Sequence, residues 1–189
     1  MFCFWIIWTG YAQNSVKVDY IQLENEELTG IREVMNIAQL IFEVRGDFTG
    51  KKMQLFENRI KGDSIQKQMV YETQPLTDTL LHFCITARQP VTDSVSIYMQ
   101  CRNTYYRWFN YHIDHCKHYI LMETSLKKSL DEDIPVFAYT EGIKKTIKYN
   151  GEMVEAIDYC GLRFSNVSPE QWFKQFRIDN FIYFTLNFR

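Results

Sequence analysis

From Lys51 to Cys101 the sequence reads as short strand-forming runs separated by turn-forming clusters. The runs are Met53–Ile60, Ile65–Tyr71, Thr79–Ala87 and Ser94–Arg102. The clusters are Gly62-Asp63-Ser64, Pro75, and Gln89-Pro90 with Thr92-Asp93. A strand sends successive side chains to opposite faces, so each run can bury one face and wet the other. Short strands at this regular spacing point to antiparallel sheets packed as a sandwich or barrel.

One pair of runs fixes its own register. Leu81, Phe83, Ile85 and Ala87 form one apolar face, and Val95, Ile97 and Met99 form the matching face of the next run. With both faces inward, Cys101 shares the core side with Phe83 and Cys84 points the other way. Joining the two sulfurs needs a one-residue slip that turns an apolar face outward. A Cys84–Cys101 disulfide is therefore not expected.

Val16 to Leu23 reads as a strand with Val16, Val18 and Tyr20 on one face. A helix follows over 26–39. Asn25 can cap it, Glu26 and Glu27 suit its positive end, and Leu28, Ile31, Val34, Met35 and Ala38 recur at helical spacing. Leu40–Val44 and Val136–Thr140 read as buried strands. Thr104 to Thr124 fits either a helix or two strands, and its aromatics favour strands. Asn150-Gly151 marks a two-residue type I′ hairpin. That turn pairs Ile147 with Val154, Lys145 with Ala156 and Thr146 with Glu155, with one half-buried face. Ser168-Pro169-Glu170-Gln171 is a capping box with Pro at the first helical position, opening a helix over 169–177. Ile182, Phe184, Leu186 and Phe188 line one face of a last strand. The fold class is a β-rich α+β domain of antiparallel, sandwich-like sheets with one or two short helices.

The 189 residues suit one domain with a packed core, and 46% of them are hydrophobic. A formal charge of −2 with both signs mixed argues against nucleic acid as a partner. The start of the chain differs from the rest. Phe2–Trp8 is an uncharged apolar run, followed by Thr9-Gly10-Tyr11-Ala12. Small residues at Gly10 and Ala12 fit signal-peptidase cleavage before Gln13. The expected organisation is a signal-like segment over 1–12 and one strand-rich domain over 13–189. The alternative is a buried N-terminal strand. The run is shorter than the roughly 20 residues a membrane helix needs, so no transmembrane segment is expected after cleavage. An outer-membrane barrel is disfavoured by scarce Gly, two helix signals and strands charged on both faces. Cleavage leaves Cys84, Cys101, Cys116 and Cys160, an even number that permits two disulfides in an oxidising compartment.

The apolar start ending in Tyr11-Ala12-Gln13, followed by a small aromatic-rich β domain, resembles uncharacterised exported proteins of Gram-negative anaerobes. The resemblance implies a periplasmic or extracellular location and assigns no functional residue.

Two groups of residues could carry function. Tyr105, Tyr106, Trp108, Phe109 and Tyr111 lie within one short stretch. Alternation can send only about half of them inward, leaving the rest as a platform for sugar or protein. On a strand, His112, Asp114, Cys116 and His118 would share a side, and imidazole, carboxylate and thiolate are the ligands zinc takes. No established metal spacing accompanies them. Asp131-Glu132-Asp133 lacks the pattern of a calcium loop and reads as a solvated connection. Tyr159-Cys160-Gly161 reads as a buried strand Cys or a disulfide partner. No phosphate loop, dinucleotide fingerprint or nucleophile elbow is present. The sequence thus points to an exported binding or interaction module with a protein or carbohydrate partner and no cofactor. A metal-dependent enzyme using the His112–His118 cluster is the alternative.

Overall fold

The structure is a computed structural model that describes residues 15–22, 26–88, 94–101, 105–112, 119–124 and 128–189. Its strands are β1 (Ser15–Ile21), β2 (Ile37–Arg45), β3 (Met53–Lys61), β4 (Ser64–Glu72), β5 (Leu80–Arg88), β6 (Ser94–Cys101), β7 (Tyr105–His112), β8 (Ile120–Glu123), β9 (Lys128–Ser129), β10 (Ile134–Thr140), β11 (Ile143–Tyr149), β12 (Glu152–Asp158) and β13 (Asn180–Phe188). The helices are α1 (Glu26–Val34), α2 (Tyr159–Arg163) and α3 (Trp172–Phe176), the last preceded by a 3₁₀ turn over Pro169–Gln171. None of the described helices is long and apolar enough to cross a membrane.

Two antiparallel sheets lie face to face. The first has the order β7-β6-β5-β2-β1-β9 and the second β4-β3-β13-β10-β8. The fold is therefore the β-rich, sandwich-like α+β arrangement that the alternation implies. Phe42, Phe83 and Ile97 of the first sheet meet Leu55, Phe137, Phe184 and Leu186 of the second in one buried cluster. Phe42 stacks on Phe83 at 4.8 Å and Phe137 on Phe184 at 4.4 Å. Phe42 and Phe137 join these stacks across the gap at 6.4 Å. Each such pair adds about 0.5–1.5 kcal/mol beyond its burial.

A second cluster covers the outer face of the β13 sheet. Ile60, Ala138, Phe181 and Tyr183 pack there against Leu162 of α2 and Trp172 of α3. The indole of Trp172 lies 5.2 Å from the Phe181 ring, and its N–H donates to the Val167 carbonyl. Covered on both faces, β13 is buried at every position except Asn180.

The register of the β5–β6 hairpin follows the apolar faces. Phe83 pairs with Cys101 and Ile85 with Met99. Cys101 is buried, Cys84 is half-buried and accepts a bond from Gln39 Nε2, and the two sulfurs are not joined. Between 104 and 124 the described residues form strands β7 and β8.

Several local expectations need correction. The helix over 26–39 ends at Val34, because Asn36 takes a left-handed φ of 53° and Ile37 and Ala38 pair with Arg88 and Ala87 of β5. Ladder bonds to a central strand outweigh one more helical turn. Ile31, Val34 and Met35 consequently stay exposed. Cys160 is an exposed thiol in α2, not a buried strand residue. Asp158 starts that short helix by accepting the Gly161 N–H at 2.7 Å. Pro169 does occupy the first helical position, but the Ser168 side chain makes no cap bond. The Ser168 carbonyl instead accepts the Gln171 N–H at 2.8 Å.

The Asn150-Gly151 hairpin has the expected pairs: Ile147 with Val154, Lys145 with Ala156, and Thr146 with Glu155. Both turn residues have positive φ, 49° and 91°, as a type I′ turn requires. The expected half-buried face is only partly covered. Val154 and Ala156 are half-buried, but Ile147 and Tyr149 are exposed. β11 and β12 form a sheet of their own, an arm outside the sandwich.

Candidate cleft between the sheets

On β3 the inward side of the strand reads Met53, Leu55, Glu57, Arg59 and Lys61. The apolar half belongs to the core, Glu57 is 4% exposed, and Arg59 and Lys61 emerge into solvent. A carboxylate so placed needs partners, since an unpaired buried charge is strongly unfavourable. Glu57 has two. Its Oε1 accepts the Nε–H of Arg59. Its Oε2 accepts the hydroxyl of Tyr111 at 2.8 Å, a buried bond from β7 of the opposite sheet.

Tyr111 is held on the apolar side by Phe184, edge to face with 6.4 Å between ring centres. The Arg59 guanidinium lies over its ring at 4.9 Å. A cation over an aromatic face is favourable by about 0.5–1 kcal/mol where exposed, and more where water is excluded. Arg59 is thus fixed from below by Glu57 and from the side by Tyr111. Its Nε is used, and its two terminal nitrogens have no partner among the described residues.

Arg59 and Tyr111 border a cavity of about 390 Å³ lined also by Lys61, Ser64, Gln66 and Asn180, with Ile60, Phe181 and Ile182 as its apolar part. The two-residue Gly62-Asp63 turn brings Ser64 opposite Lys61. Asn180, the first residue of β13, pairs with Lys61 and donates through Nδ2 to the Tyr119 hydroxyl at 3.3 Å. Tyr119 stacks on Tyr139 at 5.5 Å, and burial pushes the Tyr139 phenol above its ordinary pKa. The wall behind the cavity is therefore ordered by packing. Donors dominate the opening: a guanidinium, an ammonium, two amides and a hydroxyl.

A second cavity, about 460 Å³, opens at the other end of the sandwich between Met53, Tyr71, Leu76, Leu81 and Cys101. Its charged lining residue among those described is Asp78, an exposed carboxylate, and no ordered cation borders it. The smaller cleft is the better built of the two.

The residues singled out in the sequence fall unevenly on this site. Tyr111 belongs to it, though not as an exposed platform ring: it is 2% exposed and presents its hydroxyl to Glu57. Tyr105, Tyr106, Trp108 and Phe109 lie on β7, paired through the backbone with Cys101, Gln100, Tyr98 and Ile97. Their side chains fall outside the described set. His112 ends β7 opposite Ser94, and Asp114, Cys116 and His118 lie outside the described residues. Among the described residues no group of three metal-binding side chains comes together. Glu57 and Arg59 are absent from the sequence reading, although a signal for them exists. A strand that places Met53 and Leu55 in a core must also turn Glu57 inward, and a charge at such a position demands a partner.

Comparison with protein-family models, curated proteins and solved structures finds no match for this chain.

Proposed function

We propose that this protein is an exported, non-catalytic binding module that holds a small polar ligand in the cleft around Arg59 and Tyr111. The observation that carries the reading is the state of Arg59. Its guanidinium is held by Glu57 and Tyr111 at the edge of an open cavity, and its two terminal nitrogens have no partner among the described residues. Ligand sites of this size combine an apolar floor with a few convergent polar groups, and a fixed donor loses less entropy on binding than a mobile one. The residues around the cavity suit holding better than turnover. Glu57, the carboxylate behind its wall, is committed to both Arg59 and Tyr111, and no described histidine lines the cleft. Export rests on the apolar start and the small residues Gly10 and Ala12.

Amide-shift mapping tests the reading. The ¹⁵N-labelled protein is titrated with a mixed panel of sugars, organic acids and amino acids. Shifts concentrated at 59–66, 111 and 180–182, and lost in Ser64→Trp, support a ligand cleft. Shifts scattered over the surface, or none, overturn it. The rival is a metal enzyme built on His112 and its neighbours. Stoichiometric zinc in the purified protein, lost in His112→Ala and His118→Ala, would establish that rival instead.

A further inference from the structure

We infer that the ligand class of this cleft is an acidic saccharide, whose single carboxylate seats on Arg59 while its hydroxyls meet Ser64, Gln66 and Asn180. The inference rests on the cleft being the ligand site and adds what the site selects. Three observations carry it.

The first is shape. A guanidinium presents parallel N–H groups in a rigid plane that matches the two oxygens of a carboxylate. In Arg59 the Nε is already bonded to Glu57 and the guanidinium already lies over the Tyr111 ring. What remains is the outer edge of the fork, carried by the two terminal nitrogens.

The second is charge. Arg59 and Lys61 bring two positive charges, and Glu57 takes back one. No carboxylate is among the cavity's described lining residues, so the charge it presents to a ligand is positive, which suits an anion.

The third is the neutral lining. Ser64, Gln66 and Asn180 supply hydroxyl and amide groups that both donate and accept, which suits sugar hydroxyls. The cavity, about 390 Å³, falls within the range of small-ligand sites.

The test uses the full mature protein and immobilised oligosaccharides containing glucuronate, galacturonate, mannuronate or guluronate. Each has a counterpart in which the carboxylate is a methyl ester, so shape is kept and charge removed. The wild type is expected to bind at least one uronate, with a loss of tenfold or more on esterification. Arg59→Lys should weaken uronate binding about tenfold, because a point charge replaces a planar fork, and should weaken binding of the ester by a clearly smaller factor. Binding should also weaken with rising salt.

Equal binding of acid and ester, with Arg59→Lys silent, would overturn the carboxylate assignment and leave the cleft standing as a ligand site. Tight binding of inorganic phosphate in place of any uronate would overturn it in the same way. No binding of any saccharide would overturn the ligand class, and the amide-shift titration would then decide separately whether the cleft itself survives. Circular dichroism of Arg59→Lys at each step separates lost binding from lost fold.

Discussion

Tyr20 spans the two sheets: from β1 its hydroxyl lies 2.6 Å from the Val136 carbonyl on β10 and 3.0 Å from the Thr124 carbonyl, and it accepts the Thr124 N–H at 3.1 Å. Burial pushes this phenol well above its ordinary pKa. Tyr20→Phe keeps the ring against Phe42 and strips partners from the backbone groups of buried Thr124 and Val136. The expected loss of stability is about 1–3 kcal/mol, read from urea melts at neutral pH with an unchanged slope.

The same phenol predicts an alkaline limb. Below pH 10 the folded and unfolded chains both hold the proton, so the raised pKa adds no pH dependence. Above the ordinary value of 10.0 the unfolded chain releases the proton and the folded chain keeps it. Stability therefore falls as pH rises, by about 1.4 kcal/mol per pH unit for each tyrosine shielded in this way. Tyr139 and Tyr183 are raised by burial too. Urea melts from pH 8 to 11.5 should show a flat region and then a decline, and the decline should be shallower by one proton in Tyr20→Phe.

Glu57 and Tyr111 should couple. Glu57→Gln keeps an acceptor for the Tyr111 hydroxyl but ends the charge pairing with Arg59, while Tyr111→Phe leaves the carboxylate short of a buried donor. Each single change is expected to cost about 1–3 kcal/mol. The double mutant should lose less than the sum, with a coupling of about 0.5–3 kcal/mol in a thermodynamic cycle. Strict additivity would mean that the bond contributes nothing.

The arm should melt by itself. Gly151 has a φ of 91° with open space around its α-carbon, so Gly151→Ala strains the turn without a clash. About 1 kcal/mol of strain is expected in the β11–β12 pair. Amide exchange should quicken at 143–158, while the global melting temperature and binding in the cleft stay as they were. A fall in both would show that the arm supports the sandwich.

Thiol reactivity should follow burial. Of the described cysteines, Cys160 is exposed, Cys84 is half-buried and Cys101 is buried. An aromatic disulfide reagent should modify Cys160 within seconds and Cys84 more slowly. Cys101 should react only once denaturant opens the core. Peptide mapping of the labelled protein distinguishes the sites.

Strand alternation and turn chemistry carried most of the architecture. Val16, Val18 and Tyr20, the Phe83–Cys101 pairing and the whole Asn150-Gly151 register are legible because one face of each strand must leave water, or because a turn demands positive φ. Helical periodicity misled at 26–39, where Ile31, Val34 and Met35 keep the right spacing but stay exposed. A short helix gains little from spacing alone, and strand pairing of Ile37 and Ala38 with β5 outweighed it. The cleft was illegible for a different reason. Glu57 and Tyr111 lie 54 positions apart, and local pattern carries no information about which strands face each other across a core. The sequence draws the eye to the aromatic run, while the chemistry of the cleft lies on β3, where one face passes from apolar Met53 and Leu55 to charged Glu57, Arg59 and Lys61.

The strand registers also set a direction. Lys61, Asn180 and Tyr111 mark one pole of the sandwich, where the cleft opens. Ser15, next to the Lys17–Arg45 pair, and Arg189, bonded to Lys52, mark the other. A fusion partner, bead or surface joined beyond either of these residues would hold the molecule by its back and leave the cleft facing outward.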